Sequence, residues 1–215
     1  FDEDATHYFA LVDEAHNLVD RGREMYSALL RKEDFLELKK TVKVYDQKMA
    51  NLLEKCNRQL LLYKKECETY QVLDSIEPFV LPLNKLYSCM QKYLEDHEES
   101  PVRKEVLEFY FEVSHFLLMY EKMDKKYVTY TEMESDGNFI LKLFCVDPST
   151  NLQECMQRGR SSILFSATLL PIQYYKELLS GETEDYAVYA TSCFPPENQL
   201  TFIGTDVTSK YIRRG

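Results

Sequence analysis

The sequence predicts a mainly α fold with an α/β portion. Three observations predict it: a long stretch whose apolar residues recur every three or four positions, short apolar runs near either end that suit buried strands, and an Asp-Gly turn between two β-branched and aromatic runs. The 215 residues fit one ordinary domain or one with part of another, and 45% hydrophobic content is that of a globular rather than a disordered chain. No run of about 18 or more apolar residues occurs, and the opening Phe1-Asp2-Glu3-Asp4 is acidic, so neither a membrane span nor a signal peptide is expected. The six cysteines, Cys56, Cys67, Cys89, Cys145, Cys155 and Cys193, form no CxxC pair and read as reduced, mostly buried thiols of a cytoplasmic protein.

A net charge of −10 argues against a chain that coats nucleic acid over its whole surface. Lys39, Lys40, Lys43, Lys64, Lys65, Lys125 and Lys126 form either a local basic stripe or a solvated helix face.

The first element is Phe9-Ala10-Leu11-Val12, an apolar run that suits a buried parallel strand ending at Asp13-Glu14. From Phe35 through Leu38, Val42, Tyr45, Met49, Leu52, Cys56, Leu60, Tyr63 and Cys67 to Tyr70 the stripe steps by three or four, and no proline or glycine interrupts Arg31 to Asp74, so one long amphipathic helix is expected. Two further helices follow, Phe79 to Leu94, with Pro82 tolerable only near its first turn, and Val102 to Met123, with Ser100 as N-cap and Pro101 at the first helical position. Their apolar stripes make a helical bundle or long hairpin. The acidic 95–100 stretch reads as an exposed turn, and His97 and His115 lack companions at metal-ligand spacing and read as structural. After Met123 the period approaches two around Ser135-Asp136-Gly137-Asn138, a hairpin signal. Then come a short capped helix, a buried strand at Ile163 to Phe165, a turn, and a helix opened by Pro171.

The chemistry sits at the end of the first strand. Open α/β sheets present ligand chemistry at the carboxyl ends of their strands, and phosphoryl transfer to water needs one acid to hold Mg²⁺ and another to orient or deprotonate the water. Asp13 and Glu14 fit those roles; two adjacent acids can equally begin a helix at its positive dipole end. Ser166 and Thr168, after the apolar Ile163-Leu164-Phe165, can simply cap the next turn, as hydroxyls at a strand end often do.

Asp13-Glu14-Ala15-His16-Asn17-Leu18 resembles motif II of superfamily 2 helicases, particularly the XPD/DinG-like group, and Ser166-Ala167-Thr168-Leu169 resembles their motif III. Roughly 150 residues separate the two, mostly the helical stretch Glu33 to Met123, and in the XPD-like group an arch domain occupies that place. The passage from Ala190 to Gly215 resembles the family's entry into a second motor domain: Ser192-x-Phe194, a Pro196-Glu197-Asn198 step, a strand, and an Asp206 to Tyr211 segment. The resemblance implies a helical arch-type bundle inserted into an incomplete RecA-like motor domain. Its parts would be 1–24 (motif II strand and start of helix), 25–126 (arch), 127–180 (return hairpin and motif III) and 181–215 (linker to motor domain 2).

It also implies that Asp13 is the magnesium carboxylate, that Glu14 is catalytic, and that His16, Ser166 and Thr168 couple hydrolysis to movement on DNA. ATP and Mg²⁺ would serve the parent helicase, with single-stranded or forked DNA as partner, protein partners possible through the arch, and a DNA-repair setting in the cytoplasm at the nucleoid or nucleus. No G-x-x-x-x-G-K-[ST] phosphate loop occurs, so the 215 residues alone are expected to be inactive. An iron-sulfur cluster, if the parent has one, would draw on cysteines before Phe1 and none of the six here. The unsatisfied strands Phe9 to Val12 and Ile163 to Phe165 are expected to pack on the Asn138 to Val146 hairpin or to pair across a dimer. A non-enzymatic helical interaction module is the alternative reading. A metal-dependent hydrolase is more distant, since no His/Asp cluster completes Asp13.

Overall fold

A computed structural model describes residues 8–179, 182 and 184–203, and the Asp206 to Tyr211 segment lies outside them. The chain divides into two units, Phe1–Asp185 and Tyr186–Gly215. The first unit is mainly α with an α/β portion. Its elements in order are β1 (Phe9–Val12), α1 (Leu18–Met25), β2 (Ala28–Arg31), α2 (Lys32–Val42), α3 (Gln47–Glu66), β3 (Tyr70–Val72), α4 (Glu77–Asp96), α5 (Arg103–Lys122), β4 (Tyr127–Met133), β5 (Phe139–Cys145), α6 (Ser149–Met156), β6 (Ser161–Leu164) and α7 (Ile172–Leu179).

The expected long helix is two helices flanked by two strands. The chain breaks at Lys43 to Asp46, where Asp46 turns extended and its carboxylate accepts the Met49 N–H (2.8 Å), an N-cap that starts α3 afresh. Tyr45, counted in the stripe, is half exposed in this turn, while Phe35, Leu38 and Val42 of α2 and Met49, Leu52, Cys56 and Leu60 of α3 are buried. A stripe that steps by three across a capped turn looks continuous in sequence, which is why the break was hidden. Pro82 lies in the second turn of α4, deeper than expected, because the helix starts at Glu77, with Pro78 in its first turn, rather than at Phe79. Helix α5 starts at Arg103, after Ser100 and Pro101: the Ser100 hydroxyl bonds Tyr93 Oη (2.6 Å) and meets the Val102 N–H only at 3.4 Å.

Helices α2 to α5 pack in sequence, and α5 closes back on α2, giving a four-helix bundle. Its centre is a run of edge-to-face rings, Phe109 on Phe35 (4.9 Å between centroids), Phe35 on Phe79 (6.0 Å) and Phe79 on Phe116 (6.1 Å). Strands β4 and β5 form the expected hairpin, whose turn needs Gly137 at φ 90° and is held by the Asp136 carboxylate accepting the Asn138 N–H. The hairpin joins β2 and β3 in an antiparallel sheet ordered β2-β5-β4-β3, with Ala28, Leu30, Leu141 and Leu143 facing the helical core.

Strands β1 and β6 form their own two-stranded parallel sheet instead of packing on that hairpin. They are not buried as expected: Phe9, Leu11 and Ile163 are each more than half exposed. A smaller core of Ala15, Val19, Leu152 and Leu179 lies beside them. In the second unit, Pro196–Asn198 is a short 3-10 turn, and no strand forms among the described residues from Leu200 to Ile203.

Asp46→Ala is expected to lower unfolding stability by about 1 kcal/mol in urea titration, with Asp46→Asn close to wild type, because the α3 cap supplies that bond. Equal stability of all three would show that the turn, not the cap, sets the break.

Candidate functional site

The first strand can deliver carboxylates because its backbone pairing runs past its last residue. In β1–β6 the register sets Val12 beside Leu164; the Phe165 N–H then donates to the Val12 carbonyl (3.0 Å) and the Ala15 N–H to the Phe165 carbonyl (3.1 Å). Those bonds stitch Asp13-Glu14 to the segment entering Ser166. Ala15, fully buried, anchors the turn on the small core.

Glu14 is the one non-glycine residue among those described with positive φ, at φ 51°, ψ 41°. Such a conformation costs on the order of 1–3 kcal/mol and persists only where surroundings impose it. Here the Asp13 carboxylate accepts the Glu14 N–H (2.7 Å), and the Glu14 carbonyl accepts the Asn17 N–H (3.0 Å), opening the 3-10 turn Ala15–Asn17. The result turns the Glu14 side chain towards the neighbouring strand.

Four expected site residues converge there. His16 Nδ1 lies 2.8 Å from Ser166 Oγ, 3.1 Å from Thr168 Oγ1 and 3.1 Å from Glu14 Oε2. Ser166 Oγ also lies 3.3 Å from Glu14 Oε2 and accepts the Thr168 N–H (3.2 Å). A carboxylate only accepts, so a hydrogen bond from His16 to Glu14 requires a proton on Nδ1. In that state Nδ1–H can donate to Ser166 Oγ and the Ser166 hydroxyl to Glu14 Oε2. The Thr168 N–H bond to Ser166 Oγ is a local turn cap as well.

Asp13 shares the turn but not this network, and its carboxylate is exposed beside that of Glu14. Among the described residues no group of three or more His, Cys, Asp or Glu could hold a metal unaided. Mg²⁺ takes oxygen ligands and needs only one or two carboxylates when phosphates supply the rest, so Asp13 fits a nucleotide-borne ion and not a protein-only site. The residue missed by sequence reasoning is Phe165, whose carbonyl fixes the Ala15 turn; a backbone acceptor carries no side-chain signal.

The remaining candidates resolve into structure. Lys39 pairs with Glu54 (2.7 Å), Lys64 with Glu33 (3.7 Å) and Lys126 with Asp147 (3.1 Å), so the seven lysines are no single free stripe. His97 stacks on Tyr93, and His115 Nε2 bonds the Ser27 carbonyl (2.9 Å). Cys56, Cys67 and Cys145 are buried, Cys155 and Cys193 exposed. The Tyr26 hydroxyl bonds Cys155 Sγ (3.0 Å), and burial first, then that bond, pushes its pKa up to about 12. No helix among the described residues is long and apolar enough to cross a membrane.

No protein-family model matches the chain. It is similar to two curated proteins called ATP-dependent DNA helicase CHL1. The one from Scheffersomyces stipitis is 22% identical over 227 residues, covering 87% of this chain and 27% of the relative. That from Candida glabrata is 22% identical over 234 residues, covering 90% of this chain and 27% of the relative. The chain thus spans about a quarter of the length of the relatives it matches.

Nitrogen-15 NMR of the imidazole is expected to show His16 protonated at Nδ1 in the wild-type chain, with a shift in that signal in Ser166→Ala. A spectrum with Nδ1 bare, unchanged by the substitution, would contradict the hydrogen-bond order derived above.

Proposed function

We propose that the chain is a section of an ATP-driven DNA helicase of the DEAH type, carrying the water-activating half of its nucleotide site. The observation that carries this reading is the convergence of Glu14 and His16 with Ser166 and Thr168, 150 residues away in sequence, at the carboxyl ends of two adjacent parallel strands. Open α/β sheets place ligand chemistry at that edge. The similarity to proteins named ATP-dependent DNA helicase supports the same class.

In this reading Asp13 holds the magnesium ion of bound ATP, which would supply charge neutralisation at the phosphates. Glu14 acts through Oε1: its Oε2 already takes the Ser166 and His16 contacts, and the other oxygen is placed to orient or deprotonate the attacking water. Ser166 and His16 hold the carboxylate in that pose. Because both residues also meet Thr168 on the segment leaving β6, a change in nucleotide state at Glu14 is passed to that segment and on to the DNA-contacting parts of the motor. The phosphate-gripping loop and second motor domain would come from sequence outside these 215 residues, and so would any iron-sulfur cluster. The four-helix bundle would be the arch, open to protein partners, and the place of work would be where DNA is, in the nucleus or nucleoid.

Two measurements test the proposal. In the full gene product, Glu14→Gln is expected to cut DNA-stimulated ATP hydrolysis by on the order of 100-fold or more while ATP still binds. Ser166→Ala is expected to lose strand unwinding more than hydrolysis. Hydrolysis unaffected by Glu14→Gln would sink the assignment, as would DNA-stimulated, Glu14-dependent hydrolysis by the 215-residue chain alone.

A further inference from the structure

Helix α1 joins the Glu14 turn to the strands that enter and leave the bundle, and a glycine stands inside it. Glycine in a helix interior is unfavourable relative to alanine, so its presence there needs a reason. Gly22 belongs to the stripe Ala15, Val19, Gly22, Tyr26, whose steps of four, three and four turn one face to the small core. A Cβ on Gly22 would stand 3.0 Å from Pro148 Cβ and 3.3 Å from both Pro148 Cγ and Leu152 Cδ1. Carbon atoms in contact prefer about 3.5–4.0 Å, so α1 lies about half an ångström closer to the start of α6 than a side chain would allow.

The two ends of α1 are held unequally. At the C-terminal end Arg23 Nε donates to the Val146 carbonyl (2.9 Å), Ser27 Oγ accepts the Cys145 N–H (2.9 Å), and the Ser27 carbonyl meets His115 Nε2 (2.9 Å). Strand β2 follows at once and belongs to the large core. At the N-terminal end the Ala15 N–H donates to the Phe165 carbonyl (3.1 Å) over the small core, next to a residue already at positive φ. A displacement imposed at Gly22 therefore goes to the N-terminal end, where less apolar contact resists it. Taking Ser27 as pivot, Gly22 is five residues away (27 − 22) and Ala15 twelve (27 − 15). At the helical rise these are about 7.5 and 18 Å, so half an ångström at Gly22 becomes about 1.2 Å beside Glu14. A misplacement of about 1 Å imposed from a remote position can cost on the order of 100-fold in rate.

We propose that Gly22 is a positioning residue for Glu14: by letting α1 seat on Pro148, just after the chain leaves β5, it aligns the carboxylate with His16 and Ser166. The alignment follows from the geometry alone; its effect on hydrolysis rests on the motor reading above.

Nitrogen-15 NMR of the histidines in the 215-residue chain reads the alignment, with His16 assigned by its loss in His16→Gln. In Gly22→Ala the His16 signals are expected to shift, while those of His115, bonded at the pivot, and His97, at the end of α4, stay in place. Pro148→Gly removes the carbons that a new Cβ would meet, so in that background Gly22→Ala is expected to leave His16 unmoved. In the full gene product Gly22→Ala is expected to lower kcat for DNA-stimulated ATP hydrolysis on the order of ten-fold with KM for ATP unchanged. His16 signals unmoved by Gly22→Ala, a shift confined to His115, or an equal shift with and without Pro148 overturns the proposal. So does a wild-type kcat for Gly22→Ala in a gene product that Glu14→Gln inactivates. If circular dichroism shows Gly22→Ala unfolded, a folded Gly22→Ala/Pro148→Gly with the His16 signals of Pro148→Gly supports the contact, and an unfolded one overturns it. Pro148-dependent His16 shifts beside hydrolysis insensitive to both Glu14→Gln and Gly22→Ala would sink the motor assignment and leave the alignment standing.

Discussion

The candidate site depends on the parallel pairing of β1 with β6. Two four-residue strands, at opposite ends of a long excursion, must meet in one register for Glu14 to reach Ser166. Closing a flexible loop of that length directly would carry a large entropic cost, and so short a ladder would not offset it. The fold closes the excursion twice. Strands β2 and β5 pair antiparallel where the chain leaves and returns, and beside them Arg23 Nε donates to the Val146 carbonyl (2.9 Å) and the Cys145 N–H to Ser27 Oγ (2.9 Å). With that neck formed, the loop left for β1–β6 to close is only roughly thirty residues, which lowers the closure cost by about 1–2 kcal/mol.

The neck also separates two cores of unequal size. The bundle core unites four helices with the inner face of the sheet, and its buried phenylalanines lock α2, α4 and α5 together. The core beside the site has four buried residues, Ala15, Val19, Leu152 and Leu179, with Gly22 allowing α1 to lie so close to Pro148 that a Cβ there would come within 3.0 Å of it. Local stability follows buried apolar contact, so the strained Glu14 turn rests on the less stable part of the molecule. The bundle holds the larger core and with it the more stable part.

The sheet links these regions in a different way. Its inner face is a floor for the helices, and its outer face is only partly exposed, from the buried Ile140 to the exposed Tyr70 and Val72. The period of two makes this possible: Leu141 and Leu143 belong to the core because Lys142 and Phe144 do not.

Much of this was legible in the chain itself. The amphipathic period marked the bundle residues, Asp136-Gly137 marked the hairpin, and the side-chain types Asp13-Glu14-x-His16 and Ser166-x-Thr168 marked the site, because local patterning and side-chain chemistry are properties of sequence. The break at Asp46 was not legible, since a stripe stepping by three passes through a capped turn without losing phase. Nor were β2 and β3, whose four and three residues are strands only because β5 and β4 are there to pair with them. The sequence by itself determined which residues are candidates for chemistry and which faces are apolar. Only the tertiary structure decided that Glu14 is left-handed, that His16 meets Ser166 and Thr168, and that Tyr70, Tyr130 and Phe144 share a face, because each depends on a partner or cross-strand neighbour far away in the chain.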